Sequence, residues 1–232
     1  MPRRERPAET QRSEHWLRIA VNERRGLLNA RMAEAFGWPL SSDDPILWLS
    51  PIREDEYAEY FDQAFLDRLQ LPKLRVPLSD FWPASGPRWD GLAKTRSGKV
   101  ILLEAKAHID ESVDFRSKAS SDSLVQINQS LASAKLAFGA TADSSWEIPF
   151  YQYANRLAHL HFLSGLNGID AYLLFLYFAD APDVPVPCSS EEWKGAIRLT
   201  QKCLGLGAHQ YRRRVGHVIL SVNDMLSSSE RY

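Results

Sequence analysis

The chain has 232 residues, 44% of them hydrophobic and 25% charged, with 28 Lys and Arg against 29 Asp and Glu for a net charge of −1. That length and apolar content can bury a substantial core without staples, and Cys188 and Cys203 are too few for a disulfide framework or a zinc knuckle. Balanced charge excludes a globally basic nucleic-acid binder, and the ordinary composition excludes fibrous, disordered and membrane-embedded classes.

Residues 1–13 read as a flexible basic arm and 14–232 as one α/β domain. The opening residues are polar and rich in Arg and Glu, so no signal peptide is expected. Over residues 1–31, eight Arg against four Glu give a local charge of +4. A first helix is predicted over 14–36, with Trp16, Leu17, Ala20, Val21, Leu27, Leu28 and Phe36 on one broad face, stopping at Gly37-Trp-Pro39. A second helix is predicted from Ser50-Pro51, with Tyr57, Tyr60, Phe61, Ala64, Phe65 and Leu69 as its buried stripe, ending before Pro72 and Pro77. It falls in an acidic tract, since residues 43–68 hold eight acids against Arg53 and Arg68, net −6.

Trp89–Thr95 and Lys99–Ala107 then form a predicted hairpin, joined by Arg96-Ser97-Gly98 with the glycine in the left-handed position of a three-residue loop. Residues 108–119 read as a loop, and helices are predicted over 121–138, ended by Gly139, and over 149–164. The apolar run 171–179 is nine residues, too short to cross a membrane as a helix, and reads as a strand buried on both faces. After the prolines 182, 185 and 187 come a helix over 190–204 and a strand over 216–222. The order α-α-β-β-α-α-β-α-β predicts a mixed sheet, an antiparallel hairpin followed by strands reached through helical crossovers. Residues 194–214 contain Lys194, Arg198, Lys202 and Arg212–Arg214 and no acid, net +6.

The hairpin carries the chemistry. Glu104 and Lys106 are two apart on a strand, so both side chains leave the same face. A three-residue loop pairs Thr95 with Lys99, so paired residues sum to 194 and Asp90 stands opposite Glu104 on that face. A two-residue loop would instead turn Asp90 away, opposite Ala105. Two carboxylates and one ammonium therefore converge. Two carboxylates with open positions suit Mg²⁺, with Mn²⁺ as substitute, which takes oxygen ligands and leaves room for a substrate phosphate. Asp90 and Glu104 are the predicted ligands and the Ala105 carbonyl a third. Lys106 would hold the attacking water and counter phosphate charge, and a metal-bound water is a better nucleophile near neutral pH.

Asp90, Glu104-Ala-Lys106 and the apolar run Val100–Leu103 ahead of them resemble the PD-(D/E)xK nuclease superfamily, in which an acid on one strand precedes Glu or Asp, any residue, and Lys on the next. Trp89 rather than proline precedes Asp90, and Pro87 is the nearest proline; the family tolerates this. The resemblance covers the hairpin specifically and residues 50–222 by element order. It implies a three-layer restriction-endonuclease-like fold, a mixed central sheet with an antiparallel hairpin flanked by helices. It also implies a Mg²⁺-dependent nuclease, a phosphodiester hydrolase acting on DNA, or on RNA, with a homodimer compatible, while the composition leads to the expectation of a cytoplasmic protein with no membrane partner. Family members often carry a polar helix face after the hairpin, and here Gln152, Asn155, Arg156 and His159 share one face, with Gln152 and Arg156 expected to contact nucleic acid. Many members add a carboxylate from the preceding helix, and the spacing chooses neither Glu56 nor Glu59. The alternative is a non-catalytic nucleic-acid-binding or scaffold protein that keeps the fold.

Lys194, Arg198 and Lys202 fall on one helix face and form a second expected phosphate-contacting stripe, against the plainer reading of a solvated surface. Glu192-Trp-Lys194 also matches acid-x-Lys, but within a helix its two charged side chains point about 200° apart. His159 and His161 have the wrong spacing for two metal ligands on a helix and read as satisfied or surface histidines. Gly205-Leu-Gly207 lacks the third glycine and the preceding strand of a dinucleotide loop.

Overall fold

The computed structural model describes residues 3–4, 10–39, 41–113 and 119–227. A five-stranded sheet organises them: β1 Ile46–Ser50, β2 Gly91–Thr95, β3 Val100–Lys106, β4 Ala171–Ala179 and β5 Val215–Ser221, side by side in that order. The pairs β1/β2 and β2/β3 are antiparallel, and β3/β4 and β4/β5 are parallel. Helices α1 Arg12–Asn22 and α2 Arg25–Phe36 precede β1, and α3 Gln63–Arg68 and α4 Leu78–Phe81 lie between β1 and β2 in the chain. Helices α5 Ser121–Ala137 and α6 Tyr151–His161 cross from β3 to β4, α7 Ser190–Cys203 crosses from β4 to β5, and α8 Val222–Ser227 follows β5. Among the described residues no helix is long and apolar enough to cross a membrane.

Strand alternation sends side chains to two separate cores. Leu92, Leu102, Leu173 and Phe175 join Ile127, Leu131, Leu157 and Trp193 of α5, α6 and α7 on one face. Ala93, Ile101, Leu103, Leu174, Leu176 and Phe178 meet Trp16, Leu17, Leu28 and Met32 of α1 and α2, and Met225 of α8, on the other. The protein is thus an α/β fold with a mixed sheet flanked by helices. β4 lies between two parallel neighbours under helices on both faces, which is why its nine residues are apolar without alternation. α7 is fixed at its start by a capping box, Ser189 with Glu192. Thus Glu192 serves the helix terminus, and Lys194 pairs with Glu191 at 2.6 Å.

Two expectations fail. The helix over 14–36 is two helices: α1 ends at Asn22, and the chain turns at Glu23-Arg24 with the Arg24 Nε–H donating to the Met225 carbonyl at 2.6 Å. The helix expected from Ser50-Pro51 does not form. Ile46–Ser50 is the edge strand β1, and the following stretch holds a 3-10 turn at Arg53–Asp55 and the short α-helix Gln63–Arg68. Glu56, Tyr57 and Asp62 take positive φ of 53°, 55° and 49°, which breaks helical propagation between them. Acids of the tract 43–68 serve loops and turns. Asp62 accepts the N–H groups of Ser85 and Gly86 at 3.0 and 2.8 Å, and Asp44 accepts those of Ser97 and of the Lys99 ammonium at 2.6 and 2.9 Å. Within the expected loop 108–119, Ile109–Ser112 is a 3-10 turn and 114–118 lie outside the described residues. Of the expected arm, Arg3–Arg4 pair with Glu59–Tyr60, α1 begins at Arg12, and residues 1, 2 and 5–9 lie outside the described residues.

Candidate functional site

The hairpin register decides which residues meet. Gly98 has φ 97°, and Thr95 N–H donates to the Lys99 carbonyl at 2.9 Å, closing the three-residue loop. The ladder then runs Lys94↔Val100, Ala93↔Ile101, Leu92↔Leu102 and Gly91↔Leu103, each pair summing to 194 as the loop length predicts. Beyond Gly91 the chain leaves β3: the Trp89 N–H donates to the Tyr60 carbonyl at 3.1 Å instead. The Ala105 N–H, which a continued ladder would give to Trp89, is accepted by Asp90 Oδ2 at 2.8 Å. The carboxylate of Asp90 thus takes over a backbone position where the ladder ends, one pair beyond Gly91↔Leu103 and opposite Glu104.

Glu104 is 2% exposed and clamped on both oxygens. Lys106 Nζ donates to Oε1 at 2.5 Å, and the Arg156 Nε–H donates to Oε2 at 2.6 Å. Lys106 also donates to Gln152 Oε1 at 2.6 Å. The remaining Arg156 donors reach Asn155 Oδ1 at 2.9 Å and the Arg88 carbonyl at 2.8 Å, and its guanidinium lies 4.8 Å from the Trp89 ring centre. One turn of α6, carrying Gln152, Asn155 and Arg156, therefore meets the hairpin face as the shared helical face predicts. Arg156 is buried, with these donors directed into the protein.

Burial, then the neighbouring Glu104, push the Asp90 carboxyl up to about 6. Burial opposes the Glu104 charge, but Arg156 and Lys106 outweigh it and hold its pKa below the usual carboxylate range. Burial likewise opposes the Lys106 charge, and Glu104 and Asp90 outweigh it, so the ammonium keeps its proton more firmly than a free lysine. Lys106 is therefore a fixed cation, not a base, at neutral pH.

Asp90, Gln152 and Arg156 line a cleft of about 720 Å³ together with Arg88, Glu59, Trp82 and the start of α5 at Ser120 and Ser123. Glu104 and Lys106 lie directly behind Gln152, against Tyr153, Tyr177 and Trp193. Glu59 sits in a two-residue strand rather than a helix, and its neighbour Tyr60 bridges to Trp89, which brings Glu59 alongside Asp90. Glu56 has φ 53° in a turn and is not among the residues lining the cleft. Sequence reading missed Arg88 and the clamping role of Arg156, since nothing local marks a contact across 52 residues. The stripe Lys194, Arg198 and Lys202 is exposed on α7, outside the cleft. His159 is a core residue: its Nδ1 faces the Asn155 carbonyl at 2.8 Å, its ring packs against Trp82 and Trp89, and burial lowers it to about 3. His161 is likewise satisfied, by the Tyr211 hydroxyl at 2.9 Å.

Among the described residues no group of three or more His, Cys, Asp or Glu is arranged to hold a metal ion. The oxygen donors expected from the sequence are those of Asp90, Glu104 and the main chain of Ala105, and Glu59 lines the same cleft as Asp90. Each carboxylate offers about four lone-pair sites, so the clamp on Glu104 leaves acceptor capacity, and Asp90 Oδ2 is engaged by one N–H. Comparison of the chain with known protein families, with functionally described proteins and with solved structures gives no match.

Proposed function

We propose that this protein is a Mg²⁺-dependent nuclease that hydrolyses phosphodiester bonds, with DNA as the favoured substrate and RNA as the second candidate. The observation that carries this reading is the hairpin register, which sets Asp90, Glu104 and Lys106 together beside a cleft. The five-stranded mixed sheet with its antiparallel hairpin and helices on both faces supports a restriction-endonuclease-like fold. A cytoplasmic location belongs to the same reading.

The donor set suits a small divalent cation, which binds through one or two carboxylates and keeps the rest of its shell for water and phosphate. Burial and the neighbouring Glu104 charge raise the Asp90 pKa despite Lys106 and Arg156, and a bound cation would relieve both. Asp90 and Glu104, with the Ala105 carbonyl, would hold the ion. When bound, it would supply an activated water near neutral pH and neutralise phosphate charge. Lys106 supplies a fixed positive charge beside that position and orients a water or phosphate oxygen. Arg156 is a positioning residue: it fixes the Glu104 carboxylate against Trp89 and the Arg88 carbonyl. Arg88 and Gln152 face the cleft and are placed to receive a phosphate, and the α7 stripe would track the backbone at a distance.

The clamp on Glu104 favours a second reading, a non-catalytic nucleic-acid-binding protein in which the charged cluster is structural. Incubation with supercoiled and linear DNA, with Mg²⁺, Mn²⁺ or EDTA, separates the two. Metal-dependent cleavage is expected, lost in Asp90→Ala, Glu104→Gln and Lys106→Ala, with double variants little worse than singles because such groups act as a unit. Cleavage by a folded Glu104→Gln protein at the parent rate rules out the assignment.

A further inference from the structure

A cavity of about 400 Å³, within the size range of small-ligand sites, lies between α6, the end of α7, the turn after it and the start of β5. The nuclease reading does not use it. Tyr153, Gln201, His209, Arg212 and His217 are among its lining residues, and no carboxylate is. The other large cavities each contain one or more: Asp62 and Asp67 beside α3, Glu59 and Asp90 in the cleft, Asp44 at the hairpin turn. The cause lies in the sequence, because one wall is drawn from the acid-free segment 194–214.

The cavity is rich in donors. The Arg212 guanidinium has no hydrogen bond or ion pair among the described residues, whereas Arg214 two positions on is tied to Asp170 at 2.6 Å. The N–H groups of Gly207 and Ala208 on the rim have no partner among the described residues. His209 Nδ1 is buried with no hydrogen bond, and burial together with the adjacent Arg212 charge holds this imidazole neutral. The turn that presents these groups is anchored at its start. Gly205 has φ 66°, its carbonyl accepts the Thr141 N–H at 3.2 Å, and a Cβ there would lie 2.2 Å from Thr141 Oγ1. Opposite stands a flat aromatic wall: Tyr153 and Phe175 stack at 4.0 Å and 1°, and the Tyr153 hydroxyl meets His217 Nε2 at 2.8 Å.

We propose that this cavity binds a terminal phosphate monoester, carried either by a mononucleotide or by the 5′ end of a strand. Arg212 and the turn's N–H groups take the phosphate, as a guanidinium fork and main-chain donors do. Tyr153 and His217 face the organic portion. A guanidinium on a cavity that offers it no carboxylate partner is matched by a ligand that brings its own negative charge. The proposal does not rest on the nuclease reading.

Calorimetry on the full chain in EDTA tests it, with AMP, adenosine, a 5′-phosphorylated tetranucleotide and the same tetranucleotide without the phosphate. AMP or the phosphorylated strand is expected to bind, the one that does naming the source, while both unphosphorylated ligands fail. Arg212→Ala should weaken binding about ten- to a hundredfold, the range for a charge-assisted contact, and Glu104→Gln should leave it unchanged. Arg212 is exposed, so its replacement leaves the core intact. The proposal is overturned if neither phosphorylated ligand binds at low millimolar concentration, if Arg212→Ala binds as the parent does, or if Glu104→Gln abolishes binding and so moves the ligand to the cleft.

Discussion

The two faces of β3 carry opposite chemistry. On one, Ile101, Leu103 and Ala105 meet apolar side chains of α1, α2 and α8. On the other, Leu102 is followed by the buried Glu104 and the half-buried Lys106, clamped to Arg156 and Gln152. Both faces are built by the same two-residue alternation, so the backbone does not explain the difference. Stability does not explain it either, because well-packed apolar residues usually match or exceed a buried ionic cluster in free energy. The contrast therefore poses a question that substitutions on each face can answer.

Making the two faces alike is the strongest test. Glu104→Ala strips the counter-ion from two buried cations and should destabilise the protein by about 3–5 kcal/mol in urea titration. Glu104→Leu/Lys106→Met/Arg156→Leu, which extends the apolar surface across the charged face, should recover most of that loss while showing no cleavage. A triple variant as unstable as Glu104→Ala would mean that the cluster itself holds the fold.

Acidity probes the charged face alone. The Asp90 pKa lies near 6 when folded, against 3.8 for the free side chain, so its proton is bound more tightly in the native state. Its contribution is therefore intact below about pH 4 and lost as pH rises to about 6 and beyond. In EDTA the loss should be on the order of 2–3 kcal/mol, and Asp90→Asn should remove this part of the pH profile. Mn²⁺ should stabilise the parent at pH 7 and not an Asp90→Asn/Glu104→Gln protein. A parent and Asp90→Asn profile that superimpose between pH 4 and 7 would refute the shift. On the apolar face, Ile101→Val should cost about 1 kcal/mol and leave metal-dependent cleavage at the parent rate, and a fall in cleavage beyond the loss of folded protein would show that the two faces are coupled.

Much of this was legible in the sequence where local chemistry fixes structure. Gly98 sets the loop length, the loop length sets the register, and the register places Asp90 opposite Glu104. The unbroken apolar run of β4 and the Ser189/Glu192 cap of α7 were equally plain. The stretch 46–68 was not. Its left-handed positions are occupied by Glu56, Tyr57 and Asp62, not by glycine or asparagine, so the turns carry no compositional mark, and Ile46–Leu49 is too short for its periodicity to separate strand from helix. The shared face of Gln152 and Arg156 was readable from helical spacing. That Arg156 turns inward to Glu104 was not, because the choice between a phosphate outside and a carboxylate inside depends on tertiary burial.

The amide of Ala105 has an unusual acceptor for a strand residue, a side-chain carboxylate in place of a carbonyl. Its proton resonance should accordingly move with the ionisation of Asp90, while the amides of the parallel β3/β4 ladder, bonded only to main chain, hold still. That amide proton thus serves as an indicator wired to the candidate site, readable by NMR.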